Sequence, residues 1–256
     1  MNSNEVVVMR MKEKMKQIGS FVIAVAVLMS LSSCLQALNR SSAGDIEKLL
    51  QEKYGTEFQV ISIGNRLASS GMDTVTAYCR PVDDTRVVFE AKMNTHHQLV
   101  SDSFVERVVE VQAEKALEES FSNEGIQASV YAHIFPVPED TDYRNADYLE
   151  IIKSTPDSSF TFKTVVSERT KDDKVYNAIT SVLMSHYQLN DSLKCGTSAY
   201  NIIADQYNDC VKKMRTGGYP SKTFFEGYMS LGSAAVSVVD GKVNVELDEF
   251  QENFYH

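Results

Sequence analysis

Between Asp102 and Phe121, the residues Val105, Val108, Val109, Ala113, Ala116 and Leu117 recur at helical spacing, and glutamates fill the positions between them. That pattern predicts an amphipathic helix of about five turns whose apolar stripe has to be buried. The helix constrains the fold because strand-like runs flank it. Glu57 to Ile63, Thr74 to Arg80 and Arg86 to Met93 precede it, rich in Val, Phe and Thr and separated by turn residues, and they read as an antiparallel meander. Ile126 to Phe135 follows it, with Val130, Ala132 and Ile134 facing one way and Tyr131, His133 and Phe135 the other. Helices set among antiparallel strands imply an α+β protein with helices packed on antiparallel sheets.

The other segments extend this pattern. Asp45 to Tyr54 has early acidic residues, Lys53 near its end and Gly55 beyond it, the start and stop signals of a short helix. Pro136-Val-Pro-Glu-Asp-Thr-Asp142 interrupts regular structure, so a division is drawn there into two small α+β subdomains, 45–136 and 137–256. In the second, Tyr143 to Lys153 reads as a helix capped by Asp142, Ser159 to Ser167 as a strand, and Lys171 to Gln188 and Tyr200 to Met214 as helices. Phe224 to Leu231 reads as a strand, and Asp240-Gly241 as the turn of a hairpin between Ala235–Val239 and Lys242–Leu247.

The N-terminal residues have a different grammar. Arg10, Lys12, Lys14 and Lys16 precede an apolar run from Phe21 to Met29, which ends at Leu31-Ser32-Ser33-Cys34. The run is shorter than the roughly 20 residues a membrane span needs, and Gly19, Ser20 and Ser30 interrupt it. With its lipobox Leu31, Ser32, Ser33, the segment resembles the signal peptide of bacterial lipoprotein precursors. The resemblance covers about the first 35 residues. It implies that 1–33 is removed, that Cys34 carries diacylglycerol, and that 34–44 tethers the body to the outer face of a membrane in the cell envelope. Met9, Met11 and Met15 are alternative starts.

Charge narrows the partners. The chain has 25 Lys plus Arg against 35 Asp plus Glu, a formal charge of −10. Residues 1–34 carry four basic and two acidic side chains, so removing them leaves −12. Such a surface repels phosphate backbones and excludes nucleic acid as a partner. Besides Cys34 there are Cys79, Cys195 and Cys210. Cys79 falls on the apolar face of its strand, and the compartment and the short separation point to a disulfide between Cys195 and Cys210.

No G-x-S-x-G, Ser-x-x-Lys, phosphate-cradling glycine loop or HExxH occurs. His96-His97 reads as a loop, and Pro138 to Asn145 fails the register of a calcium loop at its sixth and twelfth positions. No cofactor or metal is expected. Two weak ligand surfaces are open: Tyr131 with His133, and an aromatic group of Tyr219, Phe225 and Tyr228. The expected function is a lipid-tethered extracytoplasmic module that binds an envelope protein or peptide. The alternatives are an envelope hydrolase with catalytic residues scattered in sequence, and an inhibitor or immunity-type protein.

Overall fold

The computed structural model describes residues 42–64, 74–167, 170–216, 220, 222–228 and 230–254. Residues 1–33, expected to be a signal peptide, and Cys34 and Tyr219 lie outside the described residues. The protein is α+β, with helices packed on two sheets.

Helix α1 (42–54) buries Ile46 and Leu50 against the first sheet, β1 (Phe58–Ile63), β2 (Thr74–Pro81), β3 (Phe89–Asn94) and β4 (Leu99–Asp102). These four strands form the antiparallel meander, in sequence order. Strict alternation along β2 and β3 turns Val75, Ala77, Cys79, Phe89, Ala91 and Met93 inward. Phe104 of α2 (Phe104–Asn123) inserts among Tyr54, Phe58, Phe89 and Tyr143, with ring centroids 4.6–5.2 Å from its own.

The second sheet has five strands in the order β5 (Ala128–Phe135), β6 (Ser159–Ser167), β7 (Lys194–Ile202), β8 (Ser230–Val239) and β9 (Lys242–Val243). One face carries the largest core, built with α2, α3 (Tyr148–Ser154), α4 (Asp172–Leu189) and α7 (Leu247–Phe254). Gly232 lets α7 lie on β8, because a Cβ there would stand 2.6 Å from the Phe254 carbonyl carbon. On the other face, α5 (Ala204–Thr216) and the short α6 (Lys222–Glu226) build a smaller core with Val165, Tyr200, Tyr207, Cys210 and Phe225.

Several expectations need correction. The sheet is mixed, because β6 and β7 run parallel across the α4 crossover. The division at 137 is displaced, since β5 pairs with β6 along its whole length and the Pro136–Asp142 segment is a loop inside the second sheet. Lys194 to Ile202 is a strand, and the helix expected from Tyr200 begins at Ala204. Phe224 to Leu231 splits between α6 and the start of β8. Asp147, rather than Asp142, caps α3, accepting from the Leu149 amide at 2.9 Å. The Asp240-Gly241 hairpin is present with positive φ at both residues, but β9 is two residues long and α7 follows it. Cys195 and Cys210 are free thiols and form no disulfide. They lie in the cores on opposite faces of the sheet.

Candidate functional site

Strand β5 is an edge strand, and its exposed amides would be a template for aggregation if nothing met them. Helix α2 runs antiparallel to it and meets them with carboxylates. Glu118 accepts from Val130 N at 2.9 Å, Glu114 from Ala132 N at 3.1 Å and Glu110 from Ile134 N at 3.4 Å. Four helical residues rise about 6 Å and two strand residues about 6.7 Å, so glutamates four apart match every second strand amide. Three arginines from different parts of the chain neutralise the ladder. Arg107 bridges Glu110 (3.1 Å) and Glu114 (2.7 Å), Arg86 bridges Glu114 (3.2 Å) and Glu118 (2.9 Å), and Arg215 reaches Glu118 at 3.1 Å. The glutamate face of α2, which the spacing assigns to solvent, is therefore buried at Glu110 and Glu114.

At its N-terminal end the ladder opens into a cleft of about 500 Å³ between the two sheets. Tyr78 and Glu90 come from the meander, Glu106 and Arg107 from α2, and His133 and Phe135 from β5. His133 Nδ1 lies 2.7 Å from Glu110 Oε1, and its ring lies at 15° to that of Phe135 with centroids 6.5 Å apart. The hydrogen bond to Glu110 raises the His133 pKa above its ordinary value, outweighing partial burial, and so favours the imidazolium. Burial raises the Glu106 carboxyl, and the charges of Asp102 and Glu110 push the same way. Phe135 is 62% exposed, an unusual state for a large apolar side chain on a sheet.

Phe135 and His133 also begin a second surface. Rows of residues cross this sheet face in register, and Phe135, Lys194, Ala235 and Val239 stand exposed on it. One row is Tyr131, Lys163, Ser198 and Ala235, and the next is His133, Thr161, Gly196 and Ser237. Phe135, Ser159 and Lys194 make the last, with Val239, 58% exposed, on the same face of β8.

The residues singled out in sequence fare differently. His133 stands in the cleft with its side chain 47% exposed, whereas Tyr131 is buried behind it under the Arg107 guanidinium, 4.2 Å from the ring centroid. Phe225 is core rather than ligand surface, stacked on Tyr200 at 3.8 Å. Tyr228 is half-buried at the rim of that core, and its hydroxyl donates to Asp209. His96 and His97 form the β3–β4 turn, with His97 bonded to Asp45. His186 is buried against Phe160. Burial pushes the Cys79 thiol up to about 12 and those of Cys195 and Cys210 to about 11, which leaves them unreactive. Among the described residues, no three His, Cys, Asp or Glu side chains converge to hold a metal. No helix among them is long and apolar enough to cross a membrane.

No family model matches this chain, and no curated protein matches it. Among solved structures it is similar to a DUF5037 family protein from Ruminococcus gnavus, at 17% identity and a TM-score of 0.60. The likeness spans 82% of this chain and 97% of that one. At that identity it shows a shared fold.

Proposed function

We propose that this chain is a bacterial lipoprotein whose α+β body is an extracytoplasmic binding module for an envelope protein or peptide, held to the membrane by diacylglycerol on Cys34. The lipobox Leu31-Ser32-Ser33-Cys34 supports the anchor, and helix α1 begins at residue 42, close behind the anchor point. The observation that carries the binding role is the cleft in which the exposed Phe135 ring lies near-parallel to that of His133, which Glu110 orients. Exposed aromatic residues beside a few fixed polar groups are the usual makings of a recognition site.

One observation favours a second reading, an envelope hydrolase: a histidine oriented by a carboxylate is half of a nucleophile-activating pair. The buried cysteines supply no nucleophile.

Two measurements test the proposal. The intact mass of the protein extracted from its native membranes should equal residues 34–256 plus acylated glycerol; retention of residues 1–33 without lipid would remove the anchor. Purified protein should leave ester, peptide and glycoside substrates unchanged. Turnover that His133→Ala abolishes would replace the binding reading with the hydrolase.

A further inference from the structure

The two sheets share no strand pairing among the described residues, and each has its own core. Helix α2 serves both, giving Phe104 and Val111 to the first core and Val109, Ala113 and Leu117 to the second. Residues 136–147, between β5 and α3, are a second connection. They contain no helix or strand, yet Val137 and Ala146 pack on the second core while Tyr143 packs on the first. The loop leaves one core, reaches the other and returns.

Its reach ends on one atom. Tyr54 is the last residue of α1, whose final carbonyls have no partner within the helix, and Gly55, with φ of 72°, turns the chain away. The Tyr54 carbonyl oxygen accepts from the Tyr143 hydroxyl at 3.0 Å and from Arg144 Nη2 at 2.7 Å. The helix dipole also favours a guanidinium at that end of α1. Asp142 braces the tip of the loop, its carboxylate accepting from Arg144 N at 3.1 Å and from Asn145 Nδ2 at 2.8 Å. The Tyr143 ring lies 4.9 Å from that of Phe104. Phe104 and the cleft residue Glu106 are two positions apart and so about 160° apart around α2. The grip and the cleft stand on opposite sides of the helix that joins the two sheets.

We propose that residues 136–147 are a strap that sets the spacing of the two sheets around α2, so that releasing Tyr54 lets the first sheet swing about α2 and changes the width of the cleft. The strap would regulate the cleft, and to that extent the inference rests on reading the cleft as the binding site. The hold is two hydrogen bonds to one carbonyl, one of them from the exposed Arg144, whereas α2 is continuous. A weak clasp opposite an unbroken helix is the arrangement of a hinge. A partner that fits one width better than the other shifts the balance by its difference in affinity for the two.

The test measures distances between nitroxide labels by double electron–electron resonance, in the full lipidated chain in neutral detergent. Labels at Thr95→Cys, on the exposed β3–β4 turn, and at Ser181→Cys, on the exposed side of α4, span the two sheets, and the native thiols at 79, 195 and 210 are buried. Tyr143→Phe with Arg144→Ala removes both donors to Tyr54 and keeps a ring against Phe104. It should shift or broaden the distance distribution by about 2 Å or more. Labels at Ser181→Cys and Asn208→Cys, on helices at opposite faces of the second sheet, should keep their spacing. Should the double change disturb folding, Arg144→Ala alone, at an exposed position, should still broaden the first distribution. A first distribution unchanged in both variants, or an equal change in the second pair, would overturn the proposal. The measurement needs no partner, and the intact-mass and turnover measurements do not involve the strap, so failure here would leave the binding and lipoprotein readings standing.

Discussion

The two faces of the five-stranded sheet come from the same strands and have different fates. On one, alternate residues such as Val130, Ile134, Phe160, Phe162 and Val236 are fully or almost fully buried under four helices. On the other, α5 and α6 pack around Tyr200 and Phe225, while Phe135 and Val239 stand in solvent. A sheet face left half bare gives up apolar burial worth about 25 cal/mol per Å². The contrast locates stability on the first face, and the exposed aromatic residue on which the proposed binding role rests lies on the second.

Substitutions can break that comparison. Phe160→Ala on the closed face should cost about 3–5 kcal/mol of unfolding free energy in a urea titration, by opening a cavity among α4 and the strands. Arg107→Ala should be of similar size, about 3–5 kcal/mol, because it leaves the buried Glu114 short of its closest counter-charge. If Arg107→Ala cost less than 1 kcal/mol, the ladder along β5 would be ornamental. Gly232→Ala should cost about 1–3 kcal/mol, since its methyl group must displace the backbone of α7, and hydrogen exchange should quicken in residues 247–254 first.

Smaller effects sharpen the comparison. The folded-state pKa of His133 is raised, so the pair with Glu110 contributes stability that is complete below about pH 6.5 and is lost as pH rises through the folded value. His133→Gln should therefore lower the melting temperature more at pH 6 than at pH 9. A half-exposed side chain limits the difference to a few degrees at most. Phe135→Ala should change stability by no more than about 0.5 kcal/mol, against the several lost at Phe160, although both are phenylalanines on adjacent strands.

Local patterning carried much of this architecture and little of its polar chemistry. Helices α1, α2 and α4 and strands β2 and β6 were legible because each has an uninterrupted period of 3.6 or 2. Strand β7, Lys-Cys-Gly-Thr-Ser-Ala-Tyr-Asn-Ile, was not, because a central strand lined by small residues has no alternation to read. Helix α7 was obscured by the hairpin before it, although Phe250 and Phe254 stand one turn apart. Of the site, the alternation of β5 placed His133 and Phe135 together. The burial of Glu110 and Glu114 was invisible because their arginine and amide partners, residues 86, 107, 132 and 134, come from the β2–β3 loop, α2 and β5.

The central proposal is that an envelope partner binds this module over the exposed Phe135, Ala235 and Val239 of the second face. Ala235 is exposed in its middle, and the native thiols at 79, 195 and 210 are buried, so Ala235→Cys supplies a reactive thiol at that surface. Its rate of modification by a bulky maleimide should be compared between isolated native membranes and purified protein. The account predicts labelling at least about tenfold slower in the membranes, released when the protein is purified away from its partner. Equal rates in both would contradict it.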